Sequence, residues 1–157
     1  MDSSATSALT SSQAGRRARW IGELARAETC RLQALTSVWP DWPDCRPLRP
    51  AEAGLVMLRG RAGGDGEVFA LGECLVTRCS VEDESGRAGH GWVVGNNPAH
   101  AELAARLDLL LQRADWHDRV WQSVILPLQQ SRLAQQAAAA ETARATQVQF
   151  FSLDTMR

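Results

Sequence analysis

Proton transfer in this chain falls to a short list of side chains. Its 157 residues hold His90, His100 and His117, four cysteines and 18 acidic residues, and no tyrosine. All 17 basic residues are arginine. Without a lysine amine, a Walker-type phosphate loop, a kinase-type lysine and a lysine Schiff base are excluded. Arginine forks remain available for phosphate or carboxylate.

His100 stands in Gly95-Asn96-Asn97-Pro98-Ala99-His100-Ala101-Glu102. Asparagine before proline marks a helix start. Such a terminus leaves unpaired N–H donors and attracts anions. In its first turn His100 suits an anionic ligand, as hydrogen-bond donor or proton carrier. The plainer alternative is a local bond, or packing beneath a sheet. Glu102 fits the first turn on dipole grounds alone. His100 and Glu102 are the candidate catalytic residues, and Asn97 is an anion-binding candidate.

Other anion-binding candidates are Arg61, Gly63, Gly64 and Arg78. The Gly63-Gly64-Asp65-Gly66 loop could cradle phosphate with backbone N–H groups. It opens a strand rather than a helix, so a hairpin connection explains it as simply. An arginine at position 78 of a central strand needs a partner. Glu67, Glu82, solvent, another subunit or a phosphate could serve. His90 and Trp92 share a strand face, which packing explains. Asp115, His117 and Asp118 gather at a helix start and read as caps.

No GxSxG, HExxH, CxxC or paired-carboxylate spacing occurs. Cys30, Cys45, Cys74 and Cys79 lack zinc spacing and read as free, buried or half-buried thiols. No metal site is expected.

These residues need elements to hold them. The spacing predicts a helix from Arg16 to about Leu35, with Ile21, Leu24, Leu32 and Leu35 inward and Arg19, Glu23 and Arg26 outward. Trp39-Pro40-Asp41-Trp42-Pro43 breaks it. Trp39 and Trp42 form either a cap over the core or a partner contact. Pro47 and Pro50 keep the next stretch extended.

Strands follow from Leu55 to Val94. Leu75, Thr77, Cys79 and Val81 alternate with Val76, Arg78 and Ser80, and Gly72 suggests a bulge. Short links make the three or four strands antiparallel. A helix after Asn97 buries Leu103, Leu107, Leu110 and Leu111. Another spans about Asp118 to Leu126, and Pro127 ends or kinks it.

Gln129 to Ala145 forms helix readily but has one bulky apolar residue, Leu133. The apolar tail of Val148, Phe150, Phe151 and Leu153 docks on its own sheet or on another subunit. Leu133, Phe150, Phe151 and Leu153 join Trp39 and Trp42 as partner-interface candidates. The fold class is α+β: an antiparallel sheet flanked by an N-terminal helix and C-terminal helices, with an apolar tail.

A chain of this length buries about two-thirds of its unfolded surface. Residues 1–15, rich in Ser, Thr and Ala, read as a disordered leader without secretory features. Residues 16–157 read as one domain with a helical arm and tail from about 127. The net charge of −1 argues against a nucleic-acid partner. No run of about 18 apolar residues spans a membrane, and a cytoplasmic location is expected.

The ordered stretches Leu48-Arg49-Pro50-Ala51-Glu52-Ala53-Gly54, Arg61 to Phe69, Leu71-Gly72-Glu73, Val76-Thr77-Arg78-Cys79, Gly89-His90-Gly91-Trp92 and Thr146 to Leu153 resemble the PhnG subunits of the bacterial carbon–phosphorus lyase system. The likeness runs from about Arg19 to the C-terminus. It implies a cytoplasmic, two-fold symmetric complex with PhnH, PhnI and PhnJ, working with PhnL. That complex displaces adenine from ATP with a phosphonate, giving ribose 1-phosphonate 5-triphosphate, with PhnI as the main catalytic subunit. ATP and magnesium are then the complex's substrate and ion, and an iron–sulfur cluster belongs only to a partner. No established catalytic residue carries over. The resemblance leaves an accessory subunit, a direct contributor through His100 and arginines, and a freestanding anion-binding module as alternatives.

Overall fold

The computed structural model describes residues 3–63 and 65–146, with side chains from residue 14 onward. Helix α1 (Ser3–Arg26) is followed by α2 (Thr29–Thr36), and strands β1 (Arg46–Arg61), β2 (Val68–Glu82) and β3 (Ala88–Val94) form an antiparallel sheet in the order β1-β2-β3. Helices α3 (Pro98–Leu111), α4 (Ala114–Val120) and α5 (Leu126–Ala145) complete the chain, with one π-helical turn at Trp121–Ile125 joining the last two. This is the α+β arrangement expected from the sequence, with three strands among the described residues.

Two boundaries differ from the spacing. Helix α1 begins at Ser3, not Arg16, taking in the stretch whose composition suggests a leader. No proline interrupts it, and serine and alanine tolerate a helix. The helix predicted to run on to Leu35 is divided, because Glu28 adopts extended backbone (φ −72°, ψ 136°). The α-helical pattern is interrupted just before Pro127, between α4 and α5. The proline follows the π-helical turn in the first turn of α5, where a missing N–H is tolerated.

Helix α3 separates two cores. One side meets Trp20, Leu24, Leu32, Trp39, Val124 and Ile125 through Leu107, Leu110 and Leu111. The other lies on the sheet, where Ala101, Ala105 and Leu109 meet Cys79, Val81 and Val93. The buried Thr77, Cys79 and Val81 confirm the period-two pattern of β2. Close approach depends on Gly89 and Gly91. A Cβ on Gly91 would overlap the Ala101 carbonyl oxygen, and one on Gly89 that of Ala105.

The opposite sheet face carries Arg78, Ser80, His90, Trp92 and Val94, with Trp92 and Val94 exposed. β3 ends opposite Val76, but β1 and β2 continue as a two-stranded ribbon to Arg61 and Val68. A register shift lies between Leu58 and Arg59, opposite the Gly72 region, at the expected bulge. Prolines 47 and 50 lie in β1, an edge strand, where their missing N–H is tolerated.

Candidate functional site

Asn97 caps α3 as its sequence predicts: its Oδ1 accepts from the backbone N–H of His100 at 3.0 Å. Its Nδ2 donates to Thr29 Oγ1 (2.9 Å), and its own N–H donates to Thr77 Oγ1 (2.9 Å). The amide therefore clamps α3 to α2 and β2, leaving little of it for an anion.

His100 is buried, and its Nε2 lies 2.8 Å from the carbonyl oxygen of Leu24. In an uninterrupted helix that carbonyl would accept from the N–H of residue 28. Because Glu28 is extended, the carbonyl is an orphan of the α1 terminus, and the imidazole satisfies it. The break in the helix and the histidine explain each other.

Glu102 does not join His100. Two residues on, it faces another side of α3 and is exposed. It lies beside Arg106 and Cys79, in a separate concavity. Its charge and that of Cys45 add to burial, the largest effect, in pushing the Cys79 thiol up.

His100 instead borders a cleft of about 670 Å³ between the α1–α2 break and α5. Arg26, Arg31 and Arg132 line it with Glu23 and Glu28. Arg132 is held by the buried Glu23 carboxylate at 2.9–3.1 Å, and Arg31 donates to Ser131 Oγ at 3.1 Å. Glu23, expected on the outward face of α1, is thus covered by α5. Arg26, Arg31 and Arg132 are not singled out by sequence spacing, since they come from elements about 100 residues apart.

The other anion-binding candidates stand elsewhere. Arg78 pairs with Glu52 across β1 (Nη2 to Oε1, 2.8 Å) and lies 5.9 Å from the centre of the Trp92 ring. Its partner is therefore neither Glu67 nor Glu82; reading β1 as far back as Glu52 would have found it. Arg61 and Gly63 occupy the ribbon tip, roughly 30 Å along the strands from Glu52. Gly63 has φ +65°, a turn conformation suited to glycine. Gly64 lies outside the described residues. The sequence candidates do not form one site.

Of the two readings of Trp39 and Trp42 the packing favours the cap, and several other local readings change. Trp39 is buried against Trp116 and Trp42, while Arg106 and Arg119 stack on these rings. The pair caps the helical core, so Trp39 offers almost no face to a partner and the half-buried Trp42 little. Asp115 does not cap α4. It pairs with Arg113 at 2.7 Å, and α4 has no side-chain cap. His117 Nδ1 lies 2.6 Å from the Leu111 carbonyl oxygen, serving the end of α3 instead. Cys30 is exposed, not buried.

Leu133 is exposed on α5, in keeping with an interface role. Phe150, Phe151 and Leu153 lie outside the described residues.

Comparison with known proteins completes the description. The family described as "Phosphonate metabolism protein PhnG" matches residues 15–156. A curated relative from Rhizobium meliloti (strain 1021) is 38% identical over 149 residues, covering 93% of this chain and 94% of its own length. That relative is named "Alpha-D-ribose 1-methylphosphonate 5-triphosphate synthase subunit PhnG". With the match running through the sheet, the α3 start and both helical ends of the fold, the chain belongs to the PhnG family of phosphonate metabolism proteins.

Proposed function

We propose that this chain is an accessory subunit of the synthase that joins a phosphonate to the ribose of ATP with loss of adenine. It positions a catalytic PhnI-type partner in a cytoplasmic assembly that also holds PhnH- and PhnJ-type chains and works with a PhnL-type protein. The observation that carries the accessory role is the engagement of His100 by Leu24. The imidazole placed best for acid–base work already satisfies a buried carbonyl.

ATP and magnesium are then substrate and ion of the assembled enzyme, and any iron–sulfur cluster belongs to a partner. Among the described residues no group of three His, Cys, Asp or Glu side chains stands together as metal ligands. No helix among them is long and apolar enough to cross a membrane.

A second reading, direct contact with the anionic substrate, is favoured by the arginine-lined cleft beside His100. One pair of variants separates the two. Gln at position 100 can keep a donor to Leu24 but cannot shuttle a proton. In the reconstituted enzyme with ATP and methylphosphonate, His100→Gln should release adenine at close to the wild-type rate. His100→Ala should lose assembly or stability. General acid–base roles contribute about 10²-fold or more, so a loss of that size in His100→Gln, with the complex intact, would overturn the accessory role.

A further inference from the structure

We propose that Arg106 receives a carboxylate from an acidic side chain of another subunit, at a notch between α2, the Trp39–Trp42 loop and α3. This rests on the subunit reading above and adds the residue at which the partner's charge is met.

Arg106 lacks what its counterparts have. Arg17, Arg78, Arg87, Arg113 and Arg132, the other half-buried arginines, each hold a carboxylate at 2.7–3.4 Å. Arg106 holds none among the described residues. Its Nε is buried there without a hydrogen-bond partner, and no other buried side-chain nitrogen or oxygen is left in that state. Buried donors are normally paired, and an unpaired one on a charged group costs stability.

Trp42 accounts for where the guanidinium sits but not for what neutralises it. The Arg106 Cζ lies 4.6 Å from the centre of the Trp42 ring. Stacking on an aromatic face fixes the plane of the fork. A fork so held is oriented for the two oxygens of a carboxylate.

Arg106 borders two concavities. One, of about 340 Å³, is walled by Gln33, Trp39, Trp42 and Leu103. The other, of about 370 Å³, holds Asp44, which opposes an incoming acid. Glu102 borders both, one turn before Arg106 on α3. It leaves the Arg106 Nε unbonded, and its charge bears instead on the Cys79 thiol. Glu102 is exposed, so water screens it, whereas Arg106 is half-buried. The first concavity is therefore the approach.

A single guanidinium decides the kind of occupant. A polyphosphate would bring several negative charges to one cation with Glu102 at its rim. A free monoanion would have one ion pair to set against its lost translational freedom. A carboxylate carried on another chain meets that cost through the rest of its interface. Arginine and tryptophan are also the side chains on which interfaces concentrate binding energy. The walls of Trp39, Trp42 and Leu103 suit an acid whose own stem or neighbours are apolar.

The test is co-expression of the full chain with the other synthase subunits from the same source, then affinity purification and mass measurement. Arg106→Gln keeps a stem and a donor but loses the charge. It should recover at least about tenfold less partner. The free variant should unfold at the same or a higher urea concentration than wild type, because the guanidinium it loses bonds nothing in the free chain. Arg106→Lys introduces a single lysine amine into a chain that has none. Carbodiimide treatment of that complex should join position 106 to an Asp or Glu of another subunit, identified by peptide mass. A cross-link to Glu102 or another acid of the same chain would overturn the outside partner. A cross-link between two copies of this chain would make a second copy the occupant and overturn the synthase partner. Saturable movement of the Arg106 Nε–H resonance of the free chain by millimolar acetate would make a free anion the occupant and overturn the tethered one. Normal recovery of partner by Arg106→Gln would overturn the proposal and leave the subunit reading standing. A wild-type chain that binds none of the co-expressed subunits would overturn both.

Discussion

Arg17 and Asp108 meet across 91 residues of sequence in a two-pronged pair, with Nη2 2.7 Å from Oδ2 and Nε 3.2 Å from Oδ1. Asp108 is fully buried in α3 and also accepts from Trp20 Nε1 (2.8 Å) and the backbone N–H of His90 (2.9 Å). Arg17 reaches the Ala88 carbonyl as well. One carboxylate therefore joins α1, α3 and the outer edge of β3, which no further strand covers among the described residues.

Replacing that carboxylate orphans several donors at once. Asp108→Ala should destabilise the full chain by about 3 kcal/mol. Urea unfolding measures it. A loss below about 1 kcal/mol, within the range of a surface pair, would mean that the network does not hold the sheet edge to the helices.

Gly91 makes a second, steric prediction. Its α carbon faces the backbone of α3, and a methyl group there meets the Ala101 carbonyl oxygen and the Ala105 N–H. Backbone cannot step aside as a flexible side chain can. Gly91→Ala should therefore cost about 3 kcal/mol, whereas Gly54→Ala, with open space around it, should be nearly silent. Equal effects would refute the close packing of α3 on β3.

What was legible in the sequence follows from the range of the interactions. Asn97-Pro98 announces the α3 terminus because capping is local, and the alternation around Thr77, Cys79 and Val81 announces the buried face of β2. Glu52 was harder to read as the partner of Arg78, because strand pairing brings them together across 26 residues. The break at Glu28 has no proline or glycine to mark it; the distant partners that flank it are His100 on the Leu24 carbonyl and Asn97 on Thr29. Asp108 leaves a visible clue, a lone acid inside Leu107-Asp108-Leu109-Leu110-Leu111. Its spacing suggests burial, but nothing local identifies Arg17. The separate anion candidates found ordinary partners for the same reason: Arg78 meets Glu52 through strand pairing, and Asn97 meets Thr29 across 68 residues.

Asp83 gives the molecule an acid-sensitive turn. Its Oδ1 accepts from the Ser85 hydroxyl at 2.6 Å and from the backbone N–H groups of Ser85 and Arg87 at 3.0 Å. The Ser85 hydroxyl, then the backbone donors and the Arg87 charge, hold its carboxyl below the usual range despite burial. The unfolded-state value is about 3.9. A depressed folded value adds stability that is present in full above the unfolded value and is lost as pH falls through the folded one. The wild-type chain should thus exceed Asp83→Asn in stability near neutral pH, with the gap closing only below about pH 4. A gap that stays constant through acid titration would remove the turn from the acid response.

The cysteines should separate by reactivity. Thiolate is the reacting form, so exposure and a low pKa favour modification. Cys30 is exposed at the start of α2. Cys79 is buried between the sheet and α3, and burial there pushes its thiol up, with Glu102 and Cys45 adding to the shift. Brief maleimide treatment followed by peptide mass measurement should label Cys30 first and Cys79 last. The ordering also reports on the sheet: Cys79 becomes accessible only if α3 lifts from β2. Early labelling of Cys79 in Gly91→Ala, but not in the wild-type chain, would tie the thiol's protection to the close approach that Gly91 permits. Rapid labelling of Cys79 in the wild-type chain would show that α3 leaves the sheet too often for the packing described to be its dominant state.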